Sequence, residues 1–194
     1  DLPSVLERED LHLVLYDSFG EGGKHAHVRT NENRGGALAA EHLVGQGRKR
    51  LVFVGGSVVE HSGNIPATRY KGAKRFCDTA GIDLPAIVAD TRYDAGVAAA
   101  REVIASAADA VVTTADIQAA GLLEGLDKEG VRVPDDIAVM GYDNLPVSRY
   151  VRPRLSTIDQ GLDEKVRAVM ELVTEPTQGA VRVAEPKLVL RESA

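Results

Sequence analysis

Residues 110–144 read "AVVTTADIQAAGLLEGLDKEGVRVPDDIAVMGYDN", and their pattern decides the fold. An apolar run at 110–114 precedes a segment, 116–129, whose apolar residues recur at helical spacing until Gly130. A second apolar run follows at 137–143. Strand, helix and strand in succession predict two buried parallel strands joined by a helical crossover.

The same alternation continues in both directions along the chain. Further strands are predicted at 11–17, 25–31, 50–56, 86–90 and 155–159, and further helices at 34–46, 67–80, 93–106 and 161–173. This pattern predicts an α/β fold with a parallel, doubly wound sheet. The segment 144–155 contains two prolines and is predicted to be a crossing loop. Pro186 interrupts a last strand, which we therefore expect at a sheet edge.

Length and composition set limits on the function. The 194 residues allow one large or two small domains, and no apolar run approaches the roughly 20 residues needed to cross a bilayer. A net charge of −6 repels phosphate backbones, so the chain by itself is not expected to bind nucleic acid. The basic stretch at 47–50 is more consistent with a solvated turn than with a DNA-binding patch. A single cysteine, Cys77, excludes an internal disulfide.

Polar residues follow the predicted strands at several of their carboxyl ends. In open α/β sheets this is where ligands bind. Asp17, Asp116 and Asp143 each follow a strand, as does the "GGS" at 55–57. Asp116 could instead cap the helix that follows it, and Asp17 could simply begin a loop. No helix begins at Asp143, so a binding role is favoured there.

Arg69 lies near the start of the predicted helix 67–80. A guanidinium at this place could form two parallel hydrogen bonds with a pair of ligand hydroxyls or with a carboxylate. The alternative is a surface arginine, since Lys71, Lys74 and Arg75 are close by in sequence and indicate a solvated face.

Signatures of catalysis, cofactors and metals are missing from the sequence. There is no Gly-x-Ser-x-Gly elbow, no Gly-x-Gly-x-x-Gly after a strand and no phosphate-binding loop of the P-loop type. The five histidines show no metal-ligand spacing, and Cys77 falls on an apolar helical face. We therefore predict a protein that is not an enzyme, with no cofactor and no bound metal.

Several stretches together resemble the effector-binding core of the lactose/galactose repressor (LacI/GalR) family of transcriptional regulators. They occur in the family's order and cover most of the chain from residue 11 onward. The matching residues are "NRGGALAAEHLVGQGRKRLVFVGG" (33–56), "ATRYKGAKRF" (67–76), the stretch 110–144 quoted above, "RPRLSTIDQ" (152–160) and "LVLRES" (188–193).

The resemblance implies a fold like that of periplasmic sugar-binding proteins, with two doubly wound parallel-sheet subdomains joined by three crossovers. The N-terminal subdomain, incomplete here, would take 1–48 and 156–176, and the C-terminal subdomain 49–155 and 177–194. The family positions that contact effector fall on Asp17, Arg69, Asp116 and Asp143, with Thr30 and Ala115 as cleft-lining candidates.

Some positions depart from the family pattern. Ala115 stands where asparagine is common, Glu32 stands where aspartate is usual, and the loop 57–66 is somewhat long. The family's helix-turn-helix headpiece, its hinge helix and the first strands of the N-terminal subdomain have no counterpart in this sequence. Because only one strand and a ragged hairpin precede the first full helix, we expect further polypeptide before Asp1.

The resemblance implies a cytoplasmic, homodimeric sensor of a sugar or related polar metabolite. It would contact operator DNA only through the headpiece, and no membrane would be involved. A periplasmic sugar-binding protein of a transporter is the alternative, because it would have the same fold and cleft. An enzyme of doubly wound fold is a third hypothesis.

Overall fold

The computed structural model describes residues 11–18, 24–59 and 64–194. These residues form two compact units. The smaller unit comprises the described residues up to Asn31 together with Gly161–Glu185, and the larger unit comprises Glu32–Gln160 and Pro186–Ala194. Within the described part, the chain therefore passes between the units three times, which is the number of crossovers expected.

The elements follow the predicted order, each within a few residues of its expected place. The strands are β1 (Val14–Tyr16), β2 (Ala26–Thr30), β3 (Leu51–Gly55), β4 (Ala86–Val88), β5 (Ala110–Thr113), β6 (Ala138–Tyr142), β7 (Ser156–Asp159), β8 (Val181–Ala184) and β9 (Lys187–Val189). The helices are α1 (Glu32–Gly45), α2 (Ile65–Thr79), α3 (Tyr93–Ala105), α4 (Asp116–Lys128), α5 (Val147–Tyr150) and α6 (Leu162–Thr174). The short helix α5 lies in the segment predicted as a loop. None of these helices is long and apolar enough to span a membrane.

The larger unit is built on a six-stranded sheet in the order β4-β3-β5-β6-β7-β9. All described pairs in this sheet are parallel except β7 with β9. Strands β3, β5 and β6 are buried at every residue, as expected for a sheet covered on both faces. One face packs against α3 and α4 through residues such as Leu122, and the other against α1 and α2 through residues such as Leu43. The predicted doubly wound fold is confirmed.

The smaller unit has a described sheet of three parallel strands in the order β1-β2-β8. Helix α6 covers this sheet, and Leu172 packs with Ala26 and Val28 at the centre of the contact. The strand predicted around Pro186 is two strands, β8 and β9, which lie at the edges of different sheets. Among the described residues both strands therefore lie at a sheet edge, as expected.

The boundaries of the units lie at different residues from those predicted, which were 1–48 with 156–176 and 49–155 with 177–194. Helix α1 belongs to the larger unit because it packs on α2 and on the large sheet. Strand β7 also belongs there, because it pairs with β6. Strand β8 belongs to the smaller unit, because it pairs with β2.

Glycines allow the helices on each face of the large sheet to come into backbone contact. A Cβ on Gly36 of α1 would overlap the carbonyl oxygen of Arg69 in α2, and one on Gly72 of α2 would overlap the carbonyl of Asn33 in α1. Only a residue without a side chain fits at such a distance. The start of α1 is therefore held directly beside Arg69.

Candidate functional site

The residues predicted to bind ligand fall into both units. Arg69, Ala115, Asp116 and Asp143 belong to the larger unit, whereas Asp17 and Thr30 belong to the smaller one.

Helix α2 begins in a way that fixes the position of Arg69. The side chain of Asn64 accepts a hydrogen bond from the amide of Ala67, and Pro66 stands in the first turn. Both features are typical of a helix start. Arg69 follows within the next turn, and its side chain reaches the carboxyl ends of β5 and β6, where it contacts Thr114 and Asp143.

The guanidinium of Arg69 is buried in a network of charges. Its Nε donates to Oε2 of Glu32 at 2.7 Å and its Nη2 to Oε1 at 3.3 Å, which makes a two-pronged ion pair. Nη2 also lies 3.3 Å from Oδ1 of Asp143, and Nη1 donates to the carbonyl of Thr114. Burial would lower the pKa of Arg69, but the two carboxylates outweigh it and raise the pKa. The alternative of a solvated surface arginine is wrong, because only 6% of the residue is exposed.

Tyr142, the last residue of β6, packs its ring against the guanidinium of Arg69. The centre of the Arg69 guanidinium lies 3.6 Å from the centroid of the Tyr142 ring, which is a cation–π contact. The ring is fully buried, and a Cβ on Gly35 of α1 would overlap its hydroxyl oxygen. Only glycine at position 35 therefore leaves room for the hydroxyl. Burial raises the pKa of the phenol well above its ordinary value, so Tyr142 stays neutral.

Asp143 and Asn144 follow β6 in a tight turn with left-handed backbone angles. Their φ values are 107° and 55°. The amide of Asp143 donates to the carbonyl of Ile158 at 2.8 Å. The side chain of Asn144 donates to Asp159 at 2.8 Å and accepts from Nη2 of Arg191 at 2.6 Å. The turn thus directs Asp143 toward Arg69 and Asn144 toward the neighbouring strand.

Asp116 lies at the start of α4 but does not cap the helix. The N-cap residue is Ala115, which has no side chain for the purpose, so the N-cap alternative for Asp116 is wrong. One carboxylate oxygen accepts from the hydroxyl of Thr157 at 2.6 Å, and the other from the amide of Leu145 at 2.7 Å. Asp116 is fully buried, and burial is the main cause that raises its pKa to about 7.

In the smaller unit, Asp17 and Thr30 likewise lie at the carboxyl ends of parallel strands, β1 and β2. Asp17 has a φ of 48° and accepts from the ammonium of Lys165 at 2.8 and 3.1 Å. Lys165 comes from the first turns of α6, is fully buried and lies 4.6 Å from the centroid of the Tyr16 ring. Thr30 is buried at the end of β2. Most of the loop that Asp17 was suggested to begin lies outside the described residues.

Comparison with known proteins agrees with this architecture. A family model for the periplasmic binding protein-like domain matches residues 40–194. The chain belongs to the periplasmic binding protein-like domain family. The chain is 32% identical to the HTH-type transcriptional repressor PurR of Photobacterium profundum. The alignment covers 100% of the chain and 60% of the relative. The chain is also 30% identical to the ribose operon repressor of Haemophilus influenzae, over 94% of the chain and 57% of the relative.

A solved structure gives the same result for the three-dimensional fold. The match is to the LacI family transcriptional regulator from Enterococcus faecium, solved with bound ribose. The alignment covers 100% of this chain and 74% of the regulator's chain. The TM-score is 0.87 at 25% identity. The resemblance to the LacI/GalR effector-binding core is confirmed. The chain spans less than two thirds of the length of the two curated relatives.

Sequence reasoning missed several residues that build the site of this periplasmic binding protein-like domain. Glu32 was noted only as a departure from the family, yet it is the main partner of Arg69. Thr157, Lys165 and Arg191 were not singled out at all. For Lys165 the available signal was its position in line with the apolar residues of α6. Cys77 packs in the core as predicted, and burial raises the pKa of its thiol to about 11.

Proposed function

We propose that this chain is the effector-binding and dimerising core of a transcriptional regulator, and that its effector is a neutral polyhydroxylated molecule such as a sugar. The observation that carries the proposal is the buried bridge of Arg69 with Glu32 and Asp143 at the carboxyl end of β6. Its relatives are named as repressors, which supports a regulator over a periplasmic transport protein.

The charge of the bridge supports a neutral ligand. Arg69 carries one positive charge, and Glu32 and Asp143 carry one negative charge each, so the three groups together are negative. The carboxylates of Glu32 and Asp143 already use the Nε and Nη2 donors of Arg69. A phosphate or carboxylate on the ligand would have to displace Asp143 or approach two like charges, which is costly in a buried place. Hydroxyls can instead donate to Asp143 and accept from Arg69 at once.

The smaller unit supports the same ligand class. Asp17 is paired with Lys165, so its carboxylate is held in place and its charge is compensated. Because 24% of its side chain is exposed, Asp17 can still accept a hydrogen bond from a ligand hydroxyl. Polar groups of this kind at the ends of parallel strands are the usual recognition elements of open α/β folds.

In this proposal the ligand regulates DNA binding by unequal affinity for two conformations of the full-length dimer. A ligand can shift a conformational equilibrium only by the difference between its affinities for the two states. The headpieces of a dimer must match half-sites about one helical turn apart, so a change in their spacing changes operator binding. In this proposal the headpieces correspond to part of the roughly 40% of each relative that the chain does not cover.

Calorimetry with D-ribose, cellobiose and D-ribose 5-phosphate tests the proposal. We expect at least one neutral sugar to bind and the phosphate ester to bind much more weakly. Asp143→Asn should weaken the binding of the neutral sugar by about 10- to 100-fold, which corresponds to the loss of a hydrogen bond to a charged group.

Asp135→Asn is the matched control, because Asp135 is an exposed aspartate of the same unit whose partner is Arg132. It should leave the affinity unchanged. Tighter binding of the phosphate ester than of the sugars, or full affinity in Asp143→Asn, would contradict the proposed ligand class and the proposed site.

A further inference from the structure

Three acidic or basic side chains of the larger unit were expected to touch the ligand, but they differ in accessibility. The side chains of Asp143 and Arg69 are 16% and 7% exposed, so each presents some surface. Asp116 is fully buried. Both of its carboxylate oxygens already accept short hydrogen bonds from the protein. Asp116 therefore has neither surface nor a strong acceptor position to offer a ligand.

The contacts of Asp116 instead converge on the turn that carries Asp143. One oxygen accepts from the amide of Leu145, directly after the turn, and the other from the hydroxyl of Thr157 on β7. The same Thr157 oxygen lies 3.4 Å from the amide of Asn144 and accepts from it. Gly141 of β6 makes room for the carboxylate, because a Cβ there would overlap Oδ1 of Asp116.

The turn needs such support because of its backbone conformation. Asp143 and Asn144 are consecutive residues with positive φ and neither is glycine. Left-handed angles are uncommon for residues other than glycine, and even aspartate and asparagine, which adopt them more readily than most, are held there by surrounding contacts. The bond from Leu145 to Asp116 closes the turn on one side, and the bonds of the Asn144 side chain to Asp159 and Arg191 close it on the other.

We propose that Asp116 is a positioning residue, which does not touch the ligand but holds the turn 143–145 so that Asp143 reaches Arg69. The ligand contact of Asp143 rests on the function proposed above, whereas the support of the turn does not. Asparagine can replace Asp116 in this role. Its carbonyl oxygen can accept from Leu145, and its amide can donate to the Thr157 oxygen. Alanine cannot, and it removes the acceptor of the Leu145 amide.

Hydrogen exchange measured by NMR on the ligand-free chain tests the support of the turn. In Asp116→Ala the amide of Leu145 should exchange several-fold to about 10-fold faster than in the wild type, as expected for the loss of one hydrogen bond. The amide of Val112, in the core strand β5, serves as the internal reference and should change much less. Asp116→Asn should restore the protection of Leu145.

Two further variants complete the experiment. Asp94→Ala is the matched control, because Asp94 lies in the first turn of α3 but is exposed, and it should leave Leu145 unchanged. Thr157→Val removes one of the two bonds to Asp116 with little change of shape, and it replaces Asp116→Ala if that variant does not fold. Thr157→Val should also speed exchange at Leu145. Equal acceleration at Leu145 and Val112, or unchanged exchange at Leu145, would overturn the inference.

Binding of the sugar panel provides the second readout. Asp116→Asn should bind D-ribose or cellobiose as the wild type does, whereas Asp143→Asn should not. A loss of affinity in Asp116→Asn with a protected Leu145 amide would mean that Asp116 contacts the ligand, and the inference would be wrong. If the wild type binds no sugar of the panel, the proposed ligand class fails, and the exchange experiment still decides the role of Asp116.

Discussion

Asp116→Asn should stabilise the protein at neutral pH and remove a pH dependence of its stability. Burial and the charge of Asp143 raise the pKa of Asp116 from 3.8 to about 7, against the lowering effect of the bonds from Thr157 and Leu145. The folded state therefore binds a proton more tightly than the unfolded state does. The stability that this proton supplies is complete below pH 4 and is lost as the pH rises through 7. A difference of about 3 in pKa corresponds to at most about 4 kcal/mol.

Urea denaturation followed by circular dichroism between pH 4.5 and 8.5 measures this effect. The free energy of unfolding of Asp116→Asn minus that of the wild type should increase with pH and level off above pH 8. Asp136→Asn is the control, because Arg132 lowers the pKa of Asp136 to about 2, so that its own titration lies below this pH window. A difference between Asp116→Asn and the wild type that is constant or decreases with pH would refute the reasoning.

Three further predictions concern packing, a buried charge and a thiol. In urea denaturation, Gly36→Ala should lower the free energy of unfolding by about 1–3 kcal/mol, because its Cβ would overlap the backbone of α2. Gly45→Ala in the same helix meets no atom and should raise that free energy by up to about 1 kcal/mol. Asp17→Asn should destabilise by about 3 kcal/mol because it removes the negative charge paired with the buried ammonium of Lys165, whereas Lys165→Met should cost clearly less, since the remaining carboxylate is partly solvated. Cys77 should react with Ellman's reagent at pH 8 only after unfolding, because the thiol is buried and its pKa is about 11.

The order and type of the elements could be predicted because they depend on local pattern. The stretch 110–144 contains a complete strand, helix and strand, and its hydrophobic spacing alone specifies them. The division into units was harder, because periodicity shows what an element is and not which sheet it joins. Strands β8 and β9 are only two residues apart, yet they pair in different sheets.

The site could be predicted in outline but not in its contacts. The rule that ligands bind at strand ends singled out Asp143, and the structure places its carboxylate beside Arg69. It could not show that Glu32, 37 residues away in sequence, would take two of the guanidinium's donors. Nor could it show that Asp116 turns away from its own helix. A signal for that was present in Gly141, since a glycine in a buried strand often marks a close neighbour.

The backbone contact between α1 and α2 has a consequence for the thermodynamics of recognition. Because Gly36 and Gly72 lock the two helices together, the ion pair of Glu32 with Arg69 is fixed when the chain folds. Arginine and glutamate ordinarily lose much rotational freedom when a ligand immobilises them, and this loss weakens affinity. Here that entropy is spent during folding, so an incoming molecule meets a preorganised guanidinium.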